Sequence, residues 1–233
     1  MVKNHIKRIA APSTWNIKRK TTKFIIKPRQ CGFSFKLSIP LLVLFRDYLK
    51  KVKTAKELKY VLTNKEVLLN GKKIKSYKAS VGLMDVVSIP ETSSYYRILL
   101  STKGKLFAFE TTLDDSKLLP LWIKNKTVVK GGKIQLNFSN GFVLNVDKDE
   151  YKTGDVILYD YLAKKIVDKF SLQKDAFVFF ISGKHKGESA IVKEVNEENF
   201  VFKLGEEIVN VDKKNSKLNA FVLGKKKSSI KIN

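Results

Sequence analysis

Apolar positions recur with a helical period in one part of the chain and with a strand period through most of the rest. Leu41, Leu44, Phe45, Tyr48, Leu49 and Val52 fall on one face of a 3.6-residue repeat, with Ser38 as candidate N-cap and Pro40 in the first turn. A second helix is expected to open at Thr54, because Thr54 and Glu57 have the spacing at which each side chain satisfies the other's free amide. Leu58 and Leu62 then face a core, while Lys56 and Lys59 share the solvent side. Small strands follow at residues 67–69 and 72–74 around an Asn70-Gly71 turn, then an apolar run over 81–90. From about residue 95 the texture becomes all-β. Residues 95–100 and 105–109 flank Lys103-Gly104, and residues 133–138 and 142–146 flank Asn140-Gly141, a pair suited to positive φ and hence a hairpin. Further strands are expected at 156–159, 177–181, 191–195, 199–204 and 207–211. Short strands at this spacing imply a small barrel or sandwich. Residues 5–20 show no sustained helical or strand period.

Composition narrows the class. With 233 residues, 43% hydrophobic and 11% aromatic, the chain can bury packed cores. Its longest mostly apolar run, residues 37–45, is far short of the ~20 needed to span a bilayer. Nothing behind Met1 reads as a secretory signal, and the single cysteine, Cys31, has no partner for an internal disulfide. Two histidines, His5 and His185, assemble no metal-site spacing, so no metal or other cofactor is expected. These features predict a reduced, cytoplasmic chain.

Charge changes the picture most. Lys and Arg total 46 against 22 acids, a net charge of +24, and polyanions are the partners that neutralise such an excess. Lysine outnumbers arginine 41 to 5, which favours phosphate contact over base reading. Residues 1–36 carry ten bases and no acid, whereas residues 37–90, 91–170 and 171–233 carry net charges of +7, +3 and +4. That gradient describes a polyanion-binding arm followed by folded domains. In the arm, Lys and Arg would meet phosphates, with Trp15 or His5 stacked or wedged among bases; the alternative is a disordered tail whose Trp15 merely packs on the first domain, and the arm is expected to be unordered on its own. A second basic cluster, with Arg46, Lys50, Lys51, Lys53, Lys56 and Lys59, surrounds the junction of the two helices. In the last block Gly183 and Gly187 bracket a tight loop, Lys184-His185-Lys186, letting the backbone approach a neighbouring surface closely. The polar end from Gly224 onward is expected to be a mobile tail.

Catalytic patterns are missing. Lys130-Gly131-Gly132 lacks phosphate-loop spacing, no nucleophile elbow occurs, and Cys31 has no evident base nearby. The acidic pairs Asp114-Asp115, Glu197-Glu198 and Glu206-Glu207 read as solvated turns, because neighbours on a strand face opposite sides.

Four ordered blocks resemble one family. They are residues 5–12 with Trp15; residues 38–60 running on to 69–72 and 81–87; residues 129–137 with Asn140-Gly141; and Gly183-Lys184-His185-Lys186-Gly187 with Ile191-Val192. In these blocks the chain resembles the small-ribosomal-subunit protein four of the e type, and its length resembles archaeal members. Residues 29–32 depart from the family by lacking a Pro-rich run. The resemblance implies an α+β multidomain fold: a basic arm over 1–36, an alpha-L RNA-binding module of two helices and a small sheet over 37–90, and a central all-β domain over 91–172. A C-terminal SH3-like KOW barrel over 173–223 and a basic tail over 224–233 complete it. It further implies a structural constituent of the small subunit, not an enzyme, with small-subunit rRNA and neighbouring ribosomal proteins as partners. No membrane and no small-molecule substrate are implied. By matching position, Arg46, Lys53, Lys56 and Lys59 would form the module's RNA face, and Gly183, Lys184, His185 and Lys186 the KOW loop. His5, Lys7, Arg8, Trp15, Lys18, Arg19 and Lys20 of the arm would follow rRNA grooves. Lys23, Arg29, Lys50, Lys72 and Lys73 join them as candidate RNA contacts. Two rivals stay open: an RNA-modifying enzyme carrying an alpha-L module, and a KOW-type transcription elongation factor.

Overall fold

The computed structural model describes residues 5–29, 32–196, 199–205, 207–212 and 220–231. Cys31, Glu197, Glu198 and Glu206, named above, lie outside them. The chain is mostly β, with few helices and several antiparallel sheets, and it divides into two compact units. One unit holds the described residues up to Leu99 together with Lys105–Lys117; the other holds Leu100–Gly104 and the described residues from Leu118 onward.

In the first unit the arm is folded, contrary to the expectation of an unordered leader. Strand β1 (Ile6–Lys7) pairs antiparallel with β2 (Phe24–Ile25), and the intervening loop inserts Trp15, only 1% exposed, into the core. The Trp15 indole donates to the Ser38 carbonyl at 2.8 Å and packs on Phe35. Burying so large a ring outweighs the disorder expected of a basic segment. Ser38 is not an N-cap: it lies buried in β3 (Ser38–Pro40), and Pro40 takes the cap position. The first helix is shorter than its period suggested. One α turn, α1 (Leu41–Val43), widens into a π-helical stretch over Leu44–Tyr48, and Lys50 leaves it at φ +53°. The Leu49 amide donates to the Leu44 carbonyl, five residues back, and this keeps Leu44 and Phe45 in the core. Helix α2 (Ala55–Asn64) opens as expected, with the Glu57 amide donating to Thr54 Oγ1 and the Glu57 carboxylate accepting from the Lys53 amide.

Strands β4 (Leu68–Leu69) and β5 (Lys72–Lys73) form the Asn70-Gly71 hairpin. They are followed by β6 (Ser80–Gly82), which pairs with β3, then by β7 (Val86–Ile89), β8 (Ser94–Leu100), β9 (Leu106–Thr111) and the short helix α3 (Leu113–Lys117). The sheet order β5-β4-β7-β8-β9 means that residue 90 is a tight turn inside one sheet. β7 and β8 share a ladder from Val86↔Arg97 to Ile89↔Ser94, and the first compact unit runs past this turn to Leu99 and takes in Lys105–Lys117.

The second unit has two five-stranded sheets. The first, in the order β12-β11-β10-β13-β14, is built from β10 (Leu118–Val128), β11 (Ile134–Phe138), β12 (Val143–Val146), β13 (Val156–Asp160) and β14 (Lys165–Phe170). The second, in the order β18-β17-β16-β15-β19, is built from β15 (Ala176–Phe180), β16 (Ser189–Val195), β17 (Asn199–Leu204), β18 (Glu207–Asp212) and β19 (Ala220–Lys225). Leu121, Ile123, Leu136, Val156 and Ile157 pack the first, and Val178, Phe179, Val192, Phe202 and Phe221 the second. The expected mobile tail starts inside β19 and folds back. Ile230 is buried, and the Ser229 amide donates to the Leu223 carbonyl.

Candidate nucleic-acid interface

Three of the arm's candidates hold the arm together. Arg8 is buried; its Nε donates to the Lys18 carbonyl at 2.5 Å and its guanidinium reaches Thr22 Oγ1. Arg19 spends its donors on the carbonyls of Ile9, Ala11 and Pro12, at 2.8–3.0 Å. Trp15 lies in the core, so it is removed from any stack with bases. A guanidinium's rigid fork suits this bracing of carbonyls, and its use here leaves surface contact to lysine. Lys7, Lys18, Lys20, Lys23 and the Arg29 side chain are exposed, and so is His5, whose ring stands edge-on to Phe24.

The arm and the first helix enclose a cleft of about 750 Å³, lined among others by Arg8, Asn16, Lys18, Arg46, Asp47 and Lys50. Beside it the Asn16 amide donates to the Tyr48 hydroxyl at 2.7 Å and ties the arm to the π-helical stretch. Burial pushes that hydroxyl up to about 12, so it stays neutral and available as an acceptor at physiological pH. Arg46 is bonded to Asp47 at 2.9 Å, which leaves Lys18 and Lys50 as the exposed cations of the cleft. Arm and helix junction, two separate basic clusters in the sequence, thus meet at one place.

Lys53, Lys56 and Lys59 are exposed around α2, and Lys72 and Lys73 on β5. None of these five lines the cleft. Two aromatic partners escaped the sequence reading: Tyr96 lies 5.0 Å beneath Lys51 Nζ, and Tyr77 lies 5.0 Å beneath Lys59 Nζ. Tyrosines interspersed among lysines were the available signal.

The glycine-bracketed loop belongs to the second unit. Lys184 is exposed, His185 Nδ1 meets Glu188 Oε2 at 2.9 Å, and Lys186 lays its stem across Gly104. The close approach expected of this loop is present. A Cβ on Gly187 would stand 2.3 Å from the Ser101 carbonyl oxygen.

Among the described residues no three His, Cys, Asp or Glu side chains gather as a metal site, and no helix is long and apolar enough to cross a membrane.

Comparison with known proteins places these features in a family. The profile of Ribosomal family S4e matches residues 92–166, and that of the RS4NT domain matches residues 2–30. Small ribosomal subunit protein eS4 of Methanocella arvoryzae is 38% identical over 195 residues, 84% of this chain and 82% of its own. The protein of the same name from Archaeoglobus fulgidus is 40% identical over 193 residues, 83% of this chain and 80% of its own. The crystal structure of the 30S ribosomal protein S4e from Thermoplasma acidophilum superposes with a TM-score of 0.66 at 25% identity, covering 84% of this chain and 99% of that one.

Proposed function

The chain belongs to the S4e family of ribosomal proteins, and on that premise we propose how it grips RNA. It is a structural constituent of the small ribosomal subunit, serving translation in the cytoplasm. Its proposed partners are small-subunit rRNA and neighbouring ribosomal proteins, held without chemical transformation. Residues 37–90 act as an alpha-L module and residues 173–223 as an SH3-like KOW barrel. In support, α2 is followed by the β4–β5 hairpin, and two glycines bracket a basic loop.

The observation that carries the reading is the convergence of arm and helix-junction lysines, Lys18 and Lys50, on one cleft whose only lining carboxylate among the described residues, Asp47, is already paired. Lys18 and Lys50 meet phosphates there, while Lys7, Lys20, Lys23 and Arg29 extend the track along the arm. Lys53, Lys56, Lys59, Lys72 and Lys73 widen it beside α2 and β5, and His5 offers a ring at its far end. Lys184 and Lys186, carried by the loop at Gly183, make a further contact, with His185 braced by Glu188. Arg8, Trp15, Arg19 and Arg46 act behind the surface, fixing the path of the arm. Such contacts recognise backbone shape more than base identity.

Deleting residues 1–36 is no clean test, because it removes Trp15 from the core. Lys7, Lys18, Lys20 and Lys23 are instead changed together to Gln in the full chain, and affinity for small-subunit rRNA is measured against salt. Each lost contact lowers the slope of log affinity on log salt by roughly 0.7–0.9, so a fall of about 3 is expected. An unchanged slope would refute the reading.

A further inference from the structure

The second unit holds a basic cleft that the arm, the helix junction and the glycine loop leave unused. It is about 430 Å³ in volume and lies where the ends of β14 and β19 meet residues 171–175. Among the described residues, Lys169, Lys174, Lys225 and Lys226 line it together with a single carboxylate, Asp175. Lys169 is already engaged by the Asp155 carboxylate and the Glu150 carbonyl. Lys174, Lys225 and Lys226 are exposed, and among the described residues none of the three forms an ion pair.

The fold goes out of its way to fix these charges. The chain reverses just after β19: a Cβ on Gly224 would stand 2.1 Å from the Lys227 carbonyl oxygen, so only glycine admits the fold-back. Beyond it, Ser229 is bonded to Leu223, and Ile230 anchors the end at 2% exposure. Lys226 takes φ +59° and donates its amide to the carbonyl of Asp175, itself at φ +64°. Two residues in a costly left-handed conformation, locked to one another, hold Lys225 and Lys226 opposite Lys174. Like charges collected on a rigid corner repel in the free protein, and an extended polyanion relieves that repulsion.

We propose that this cleft is a further phosphodiester-binding site, taking a stretch of RNA backbone distinct from those held by the arm and by the glycine loop. The proposal rests on the rRNA-binding reading above. It gives the second unit a grip of its own beside the glycine loop's contact, in addition to the arm's grip in the first.

The test uses the full chain with Lys174, Lys225 and Lys226 changed together to Ala. A control carries Lys124, Lys130 and Lys193, all exposed on the same unit, changed to Ala, and circular dichroism confirms that both variants fold. Affinity for small-subunit rRNA is measured across a salt series. The slope is expected to fall by about 2 for the cleft variant and by distinctly less for the control. Equal falls in the two variants overturn the proposal, because only net charge then matters. An unchanged slope for the cleft variant overturns it too. If that variant also drops out of reconstituted subunits, the occupant is an acidic protein surface instead. Wild-type protein that ignores rRNA altogether defeats the rRNA-binding reading, an outcome distinct from a cleft variant that binds normally.

Discussion

Burial, more than residue type, decides what each cation of the arm does. Arg8 and Trp15 look like nucleic-acid contacts by type, yet they are 6% and 1% exposed and serve the fold. The same logic governs Asp85, enclosed between β6 and β7. Its carboxylate accepts from the Gly82 amide at 2.7 Å and from Asn70 Nδ2 at 2.8 Å, while Asn70 Oδ1 accepts from the Val86 amide. Burial nevertheless pushes its pKa up against these bonds and against the pull of Arg97. A carboxyl whose folded pKa lies above its unfolded one binds its proton more readily when folded. Its stabilising contribution is therefore full below the unfolded value near 3.9 and lost as pH rises through the folded one. Wild type is expected to gain on Asp85→Asn as pH falls through that window, read from urea unfolding at successive pH values. A gap that widens toward higher pH would contradict the assignment. No sequence pattern marks Asp85 as buried, since its neighbours 81–87 read simply as an apolar run, and the enclosure arises from β8 pairing across it.

Elements with strong local chemistry were readable, and those defined by their neighbours were not. The Asn140-Gly141 turn and the Thr54 cap each carry their own instruction, and both form as expected. Strand β10 does not: it pairs with β13 over its first half and β11 over its second, with a register shift between Ile123 and Asn125 that breaks the alternation. The helix over 41–48 kept its apolar face but widened its turn, which a 3.6-residue count cannot see. The glycine-bracketed loop makes the distinction measurable. Gly183 and Gly187 both have positive φ, +92° and +80°, but a Cβ meets nothing within 4 Å at Gly183 and meets the Ser101 backbone at Gly187. Alanine at Gly183 should cost about 1–2 kcal/mol of strain alone, whereas alanine at Gly187 adds a steric penalty of about 1–3 kcal/mol. Denaturant midpoints of the two variants check this; equal losses would show that the contact with Ser101 yields freely.

A net charge of +24 was visible from composition alone, and its consequence for the free protein follows from where the cations lie. The arm's bases are not a loose tail that could carry its repulsion away from the fold; β1–β2, Arg8 and Arg19 close the arm on itself, and Trp15 and Asn16 tie it to Ser38 and Tyr48. Folding therefore concentrates like charge that the unfolded chain would spread. Removing exposed cations from the arm should stabilise the free protein even as it weakens RNA binding. With Lys7, Lys18, Lys20 and Lys23 changed to Gln, relief of a few tenths of a kcal/mol per charge sums to roughly 1 kcal/mol. For a chain of this size that is a rise in thermal midpoint of about 2–4 °C at low salt. In 1 M salt, where the screening length shrinks to about 3 Å, the difference should vanish. A midpoint that falls at low salt would mean that these lysines brace the arm as Arg8 and Arg19 do, and that the division between arginine scaffold and lysine surface is wrong.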